Sequence, residues 1–180
     1  MPLLDATDFI LRSLSEADAA TVVEAVRESA ATVGAWMPWA TPHYSTTEAQ
    51  TWIQACAANR AAGSGHEFGI FSKSDGCFVG AAGLNQFNLV NNFCNLGYWV
   101  RKTAQRKGAA TSAVVALTRF AFNELRLSRI EIVALVGNEP SASVARKAGA
   151  ALECVARNRL QLHGKPHDAY VYSIIPATGA

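Results

Sequence analysis

Residues 95–111 read NLGYWVRKTAQRKGAAT, and this stretch contains the strand-to-helix transition that decides the fold. The segment NLGYWVR has the aromatic and β-branched residues typical of a strand. From about Gly108 an apolar run with helical character continues to about Leu125. A turn between a strand and a helix presents the unpaired N–H groups of the helix's first turn, and the positive end of its dipole, to an anion. The turn is rich in positive charge, from Arg101, Lys102, Arg106 and Lys107.

The loop 105–111 has the composition of a pyrophosphate site. Gly108 permits backbone conformations that are closed to other residues, and the two alanines that follow leave the amides accessible. The hydroxyl of Thr111 and the charges of Arg106 and Lys107 add further groups for an anion. The loop is neither GxxxxGK[ST] nor GxGxxG, which disfavours two common nucleotide-binding folds. On these residues alone, a basic, solvated turn explains the stretch equally well.

Composition and charge narrow the class of protein. The chain has 180 residues, of which 50% are hydrophobic, so we expect a single domain over residues 1–180. A net charge of +2 is too small for a general nucleic-acid binder. The cysteines are scattered without a CxxC pair, which predicts free thiols in a reducing compartment and no metal site. No leader pattern and no membrane-spanning run is seen, so we expect a cytoplasmic protein.

Strand and helix patterns alternate along the rest of the chain. The order β-αα-βββ-α-β-α-ββ predicts an α/β (α+β) fold with a mixed sheet and helices on both faces. Ser45 and Glu48 have the spacing of a capping box at the start of the second helix. The strands are predicted at 9–14, 66–72, 77–87, 95–101, 129–136, 152–162 and 169–175, and the helices at 16–31, 46–62, 108–125 and 141–147.

Several motifs resemble those of the GNAT superfamily of N-acetyltransferases. The segment QRKGAA, 105–110, matches the family's pyrophosphate loop, [QR]-x-x-G-x-[GA], and it follows a strand as that loop does. The segment NEPSASVARKAG, 138–149, is similar to the helix after the family's next strand. The segments WMPWATP, 36–42, and GYWV, 97–100, resemble the RimJ/RimL-like branch, which includes ribosomal-protein N-acetyltransferases. The resemblance spans nearly the whole chain and is strongest over 95–172.

The resemblance implies a single-domain GNAT fold. Its sheet would be mostly antiparallel, with six to seven strands splayed at the central parallel pair, and about four helices would cover both faces. The co-substrate would be acetyl-CoA, with no metal. Its pyrophosphate would lie on the amides of 106–111, and its pantetheine arm between the strands 97–101 and 129–136. The residues implied in binding are Trp99, Val100, Gln105, Arg106, Lys107, Gly108, Ala109, Ala110, Thr111, Asn138 and Ser141.

The implied reaction is direct attack of an amine on the thioester, with a backbone N–H of the strand 97–101 as oxyanion donor. Ser141 is the candidate catalytic acid for the departing thiolate, and a plain helix cap after Pro140 is the alternative. Asn138 is expected to bond the pantetheine arm, with a turn residue as its alternative.

The general base is left open by the sequence. Leu160 stands where the RimL-type enzyme carries a carboxylate proposed as the base. Glu67 and His66 are alternatives by composition alone, against the simpler interpretation of solvent-facing residues at a strand end. An α-amine with a pKa of about 7.7–8.0 depends less on a base than a lysine at about 10.4, so Leu160 is compatible with an α-amine acceptor.

The acceptor is expected to be a protein or peptide N-terminal α-amine. A small amine such as an amino acid or antibiotic, a non-catalytic acyl-CoA-binding module and an unrelated phosphate-binding protein are the alternatives. The loop with Trp36, Met37, Trp39 and Tyr44 is either a wall of the acceptor site or packing between the first two helices. Asp168 either contacts the acceptor or bonds hairpin backbone. A homodimer is compatible with the sequence, and no direct nucleic-acid or membrane partner is expected.

Overall fold

Strands and helices alternate along the chain in the computed structural model, which describes residues 3–176. The strands are β1 (Leu4–Ala6), β2 (Phe9–Arg12), β3 (His66–Ser72), β4 (Phe78–Asn88), β5 (Phe93–Val100), β6 (Arg129–Leu135), β7 (Ala151–Leu162) and β8 (Lys165–Ile174). The helices are α1 (Ala19–Ser29), α2 (Thr46–Ala61), α3 (Ala109–Asn123) and α4 (Glu139–Lys147). Single 3₁₀ turns span Glu16–Asp18 and Lys102–Ala104.

The predicted α/β (α+β) fold is confirmed, and the sheet has one strand more than the six to seven expected. The additional strand is β1, which pairs antiparallel with β2 from Leu4↔Leu11 to Ala6↔Phe9. Three residues are too few to show a periodicity of two in the sequence, so β1 has no sequence signal of its own. The other differences lie at element ends: β2 stops at Arg12, and α4 begins at Glu139 rather than at Ser141.

Two antiparallel half-sheets meet along a short parallel ladder, in the order β1-β2-β3-β4-β5-β6-β8-β7. Strands β5 and β6 pair at Phe93↔Arg129, Cys94↔Ile130 and Asn95↔Glu131, where the register between them ends. β6 continues to pair with β8 as far as Leu135↔Ala169. From Leu96 onward β5 therefore diverges from β6, as the resemblance implied.

Helices cover both faces of the sheet. Because side chains alternate along a strand, Leu96, Tyr98 and Val100 face α3 and α4, where they join the larger core. Gly97 and Trp99 face the opposite side, and Trp99 is buried in the core beneath α1 and α2. β5 therefore contributes to both cores and also has one open edge. No helix within residues 3–176 is long and apolar enough to cross a membrane.

Candidate active site

The divergence of β5 from β6 creates a gap at the centre of the sheet. On its other edge β5 is paired with β4 from Leu84↔Leu96 to Gly80↔Val100. The edge that faces the gap has no such ladder beyond Asn95, so its backbone groups can bind an extended ligand in the way that they would bind a neighbouring strand. The gap is therefore a groove lined by main-chain donors and acceptors.

The N-terminus of α3 lies just beyond the end of β5. Its N-cap is Gly108, whose φ of +88° lies in the left-handed region, and no heavy atom lies within 4 Å of the position of an added Cβ. Gly108 offers no side chain to cap the first N–H groups of α3, whereas Ser45 and Asn138 cap α2 and α4. These amides are consequently open to an anion.

The other residues of the predicted pyrophosphate loop have distinct environments. Arg106 and Lys107 are exposed, so their charges are available to a ligand. Ala109 is buried and fixes the helix start against the core, while Ala110 and Thr111 are half-buried. The structure thus places charge on the outside of the turn and small side chains beneath it.

Two of the predicted binding residues have additional contacts that the sequence did not indicate. The side-chain amide of Gln105 donates to the Val100 carbonyl at 3.2 Å and to the Thr32 hydroxyl at 3.3 Å, which ties the loop to β5 and to the turn after α1. The indole of Trp99 packs edge-on against Phe78 and Trp39, with ring centroids 5.8 and 5.7 Å apart. Any contact of Trp99 with a co-substrate in the gap therefore involves its backbone.

Arg101 anchors the turn to α1, contrary to the expectation of solvated charge. Its guanidinium pairs with Glu24 at 2.8 Å and with Glu28. The Glu28 carboxylate also accepts bonds from the backbone N–H and the hydroxyl of Thr103, both at 2.8 Å. Partial burial disfavours the charged form of Glu28, but these hydrogen bonds lower its pKa to about 2. The partners lie in α1, far away in the sequence, so no local pattern predicts them.

The first turn of α4 faces β5 across the gap. Asn138 is the N-cap, and its side-chain oxygen accepts from the Ser141 N–H at 3.2 Å. The interpretation of Ser141 as a helix cap is therefore wrong, because Asn138 has that role. The Tyr98 hydroxyl donates to the Ser141 carbonyl at 2.8 Å and lies 3.1 Å from the Ser141 hydroxyl. Burial raises the pKa of Tyr98 to about 12, so the phenol stays protonated at neutral pH.

On the other face of β5, beneath α1 and α2, lies a cavity of about 340 Å³. Its walls are mainly apolar, and they include Val22 of α1 and Trp52 of α2. Three side chains of the aromatic loop also line it: Met37, Trp39 and Tyr44. Trp36 is not among the lining residues. The loop is also part of the packing beneath the helices, because Tyr44 and Met37 belong to that core and the ring of Trp39 contacts Tyr44.

One row of residues across three strands forms the floor of the cavity. Glu67 is paired with Gly83, and Gly83 with Gly97, so the three lie on the same face of the sheet. A Cβ at Gly83 would lie 2.9 Å from both Cα and Cγ of Glu67, so the glycine leaves room for the start of the Glu67 side chain. A Cβ at Gly97 would meet nothing closer than the Asn95 amide nitrogen at 4.0 Å. The two glycines therefore keep the cavity floor beside Glu67 free of side chains.

Glu67 and His66 have very different surroundings although they are adjacent in sequence. Glu67 lines the cavity, and its Oε2 is enclosed without a hydrogen-bond partner in the described chain. Burial raises the pKa of Glu67, while its own amide and Arg60 oppose that shift. His66 faces the opposite side, between Phe87 and Phe120, with ring centroids 5.8 and 5.5 Å apart. His66 is therefore not a base for this cavity.

The remaining candidate residues are structural in their contacts. Asp168 accepts from the Asn158 N–H at 2.9 Å, which confirms its role in the backbone of the β7–β8 hairpin. Leu160 is paired with His167 in the same hairpin. The cysteines are free thiols, two buried and two exposed. Within residues 3–176 no group of three or more His, Cys, Asp or Glu side chains is arranged to hold a metal ion.

A splayed central strand, with an uncapped helix N-terminus at its end and a cavity against its face, can hold an extended ligand that carries a phosphate group beside a second substrate. A family model for the acetyltransferase (GNAT) domain matches residues 8–151. The chain belongs to this GNAT family, and it is an acetyl-CoA-dependent N-acetyltransferase of the GNAT type.

Relatives and solved structures agree with this assignment. The chain is 33% identical to the "Putative ribosomal N-acetyltransferase YdaF" of Bacillus subtilis (strain 168), over 92% of this chain and 90% of that protein. A structure from Vibrio cholerae, described as a "putative ribosomal-protein-serine acetyltransferase", superposes with a TM-score of 0.84 at 32% identity and covers 97% of this chain and 98% of that one. RimL, a ribosomal L7/L12 alpha-N-protein acetyltransferase in complex with coenzyme A, has the same fold, with a TM-score of 0.87 at 22% identity and coverage of 97% and 98%.

Proposed function

We propose that this enzyme acetylates the N-terminal α-amine of a protein or peptide, whose first residue enters the 340 Å³ cavity. The observation that carries the proposal is the position of Gly97. Its backbone lies in the part of β5 that borders the gap, and its missing side chain forms part of the cavity floor. An amine in the cavity is therefore separated from a thioester in the gap by no more than one strand.

The co-substrate fits the gap through residues of both of its walls. The uncapped amides of Ala109, Ala110 and Thr111, with the charges of Arg106 and Lys107, suit a pyrophosphate. The backbone of β5 suits the amide groups of a pantetheine arm, and α4 faces it with Ser141 and Asn138. The hydroxyl of Ser141 is the group that we assign to protonation of the departing thiolate.

The cost of deprotonating the acceptor favours an α-amine over a lysine side chain. An α-amine with a pKa of about 7.7–8.0 is already neutral in roughly one molecule in ten at pH 7, a cost of about 1.4 kcal/mol. A lysine at about 10.4 costs more than about 4 kcal/mol to deprotonate at that pH. The cavity is at the small end of the ~300–1,000 Å³ range of ligand pockets, and its apolar walls suit a small first residue. The names of the relatives, YdaF and the Vibrio cholerae protein, add weight to a ribosomal-protein acceptor.

Release of coenzyme A tests the proposal directly. The purified chain is mixed with acetyl-CoA and with short peptides that have a free N-terminus, or with the same peptides N-terminally blocked but carrying an internal lysine. We expect coenzyme A release and an acetylated N-terminus with the free peptides alone. Turnover with the blocked lysine peptides, or with small amines in preference to every peptide, would contradict the α-amine assignment. Binding of acetyl-CoA without turnover on any acceptor would indicate a non-catalytic module.

A further inference from the structure

Glu67 is the single carboxylate among the residues that line the cavity in the described chain. We propose that Glu67 is the general base of this enzyme and accepts the proton of the acceptor ammonium inside the cavity. The inference rests on the proposed function, because it takes the cavity as the place where the acceptor amine binds. It also accounts for Leu160, since a base on β3 makes a carboxylate at that position of β7 unnecessary.

The register of the sheet places Glu67 beside the cavity floor. Two strand spacings of about 4.8 Å separate the backbone of Glu67 from that of Gly97, and Gly83 lies between them. The Cγ of Glu67 lies next to Gly83, and the carboxylate turns toward Gly65, where both oxygens are 3.0 Å from the position of an added Cβ. Glu67 and the two floor glycines line the same cavity, so we expect an amine bound there to reach the carboxylate directly or through one water.

The hydrogen bonds of this carboxylate are incomplete in the described chain. Its Oε2 is enclosed and without a partner, an arrangement that disfavours a charged group. Cys56 on α2, which interacts with Glu67, and Tyr44, which lines the same cavity, are both neutral at physiological pH, because burial raises their pKa values to about 12. The guanidinium of Arg60 on α2 is the charged group that faces it, and Arg60 donates to the Glu67 backbone carbonyl. A substrate ammonium would supply the missing partner.

The protons balance in this sequence of steps. The acceptor ammonium gives one proton to the Glu67 carboxylate, and the neutral nitrogen then attacks the thioester carbon. As the carbon–sulfur bond breaks, sulfur leaves with the electron pair. The nitrogen gives up a second proton to solvent and becomes the neutral amide, while the thiolate takes one proton from the Ser141 hydroxyl and becomes coenzyme A. Ser141 regains its proton from solvent. Glu67 passes its proton to solvent, so one proton is released for each acetyl group transferred.

The test compares the pH dependence of kcat for the wild-type enzyme and Glu67→Gln. We expect Glu67→Gln to lower kcat by about a hundredfold near pH 6.5, since general bases contribute typically 10²–10⁴-fold. Without the base, the rate should follow the neutral fraction of the amine and rise about tenfold for each pH unit up to the amine pKa near 8. The defect should therefore shrink to a few-fold by about pH 9, where the amine loses its proton unaided.

Two further measurements separate a base from a structural role. Glu67→Gln should have an unchanged or higher Tm, because the substitution removes the charge from a carboxylate whose Oε2 is enclosed without a hydrogen bond, and it should have unchanged acetyl-CoA affinity. Glu124→Gln on the exposed end of α3 should behave as wild type in kcat, Tm and acetyl-CoA affinity.

The outcomes are distinguishable from failure of the proposed function. If wild type acetylates α-amines and Glu67→Gln is equally active at every pH, Glu67 is not the base, although the proposed function stands. A defect of Glu67→Gln that is the same at low and high pH, or that accompanies a lower Tm, would also overturn the inference. If wild type acetylates no α-amine at all, the proposed function itself fails.

Discussion

The hydroxyl of Tyr98 on β5 joins the two sides of the central gap, with 2.8 Å to the Ser141 carbonyl and 3.1 Å to the Ser141 hydroxyl. Because a carbonyl oxygen only accepts, the phenol proton points to it, and the serine hydroxyl is then the donor in the longer contact. The proton of Ser141 is thus directed to the oxygen of a neutral phenol. A thiolate in the gap would be a stronger acceptor than the phenol oxygen.

Ser141→Ala should lower kcat by about tenfold or more while acetyl-CoA affinity, measured by calorimetry, stays within about twofold. The reason is that the hydroxyl is needed when the thiolate leaves, whereas the helix cap of Asn138 remains intact. Tyr98→Phe should lower kcat less, and the double variant should be no slower than Ser141→Ala, because Tyr98 is expected to act on the reaction only through the Ser141 hydroxyl. If the kcat of Ser141→Ala equals that of the wild-type enzyme, the Ser141 hydroxyl takes no part in the reaction.

Gly108→Asp should weaken coenzyme A binding by well over tenfold, because it places a carboxylate beside the amides that suit the pyrophosphate. Gly108→Asn is the matched control: it has similar size and the same left-handed backbone, which asparagine tolerates, but no charge. Titration calorimetry of both variants gives the comparison. Equal affinities for coenzyme A in the two variants would place the pyrophosphate elsewhere.

Gly97→Ala should lower kcat/KM for peptide acceptors by about tenfold or more, with the largest loss for peptides with a bulky first residue. The added methyl group meets no protein atom within contact distance, so folding should be unaffected and the cavity floor should rise. Initial rates with peptides that begin with glycine, serine or leucine measure the effect, and acetyl-CoA affinity serves as the control. Uniform activity across these peptides would show that the first residue binds elsewhere.

Glu28→Gln should destabilise the protein by at least about 1 kcal/mol at pH 7, since charged hydrogen bonds to Arg101 and Thr103 are lost. The pKa of Glu28 is lowered to about 2 from an ordinary value of 4.5. Its stabilising contribution is therefore complete above about pH 4.5 and is lost as the pH falls toward 2. Urea unfolding of both proteins at several pH values should show the difference in unfolding free energy shrinking through this window. A difference that is constant with pH would contradict the assignment.

The sequence predicts features that are encoded locally and misses those that depend on distant contacts. The transition from β5 to α3 is readable because strand composition, Gly108 and the apolar helix follow one another directly. The motif identified Ser141 of α4. It did not show that Asn138 rather than Ser141 is the N-cap of α4, because that assignment depends on a single hydrogen bond. From the sequence, Glu67 was only one candidate base among several. Its candidacy depends on Gly83 and Gly97, which the register of the sheet brings beside it.

The three-residue ladder between β5 and β6 has a consequence for the cohesion of the sheet. Strands β4 and β5 pair at seven positions and strands β6 and β8 at six, whereas β5 and β6 pair at three. The two half-sheets are also held together by α3, which packs on strands of both of them. A co-substrate bound in the gap would bridge two strands that the chain itself leaves unpaired, so the ligand would complete the sheet where its own backbone ladder is shortest.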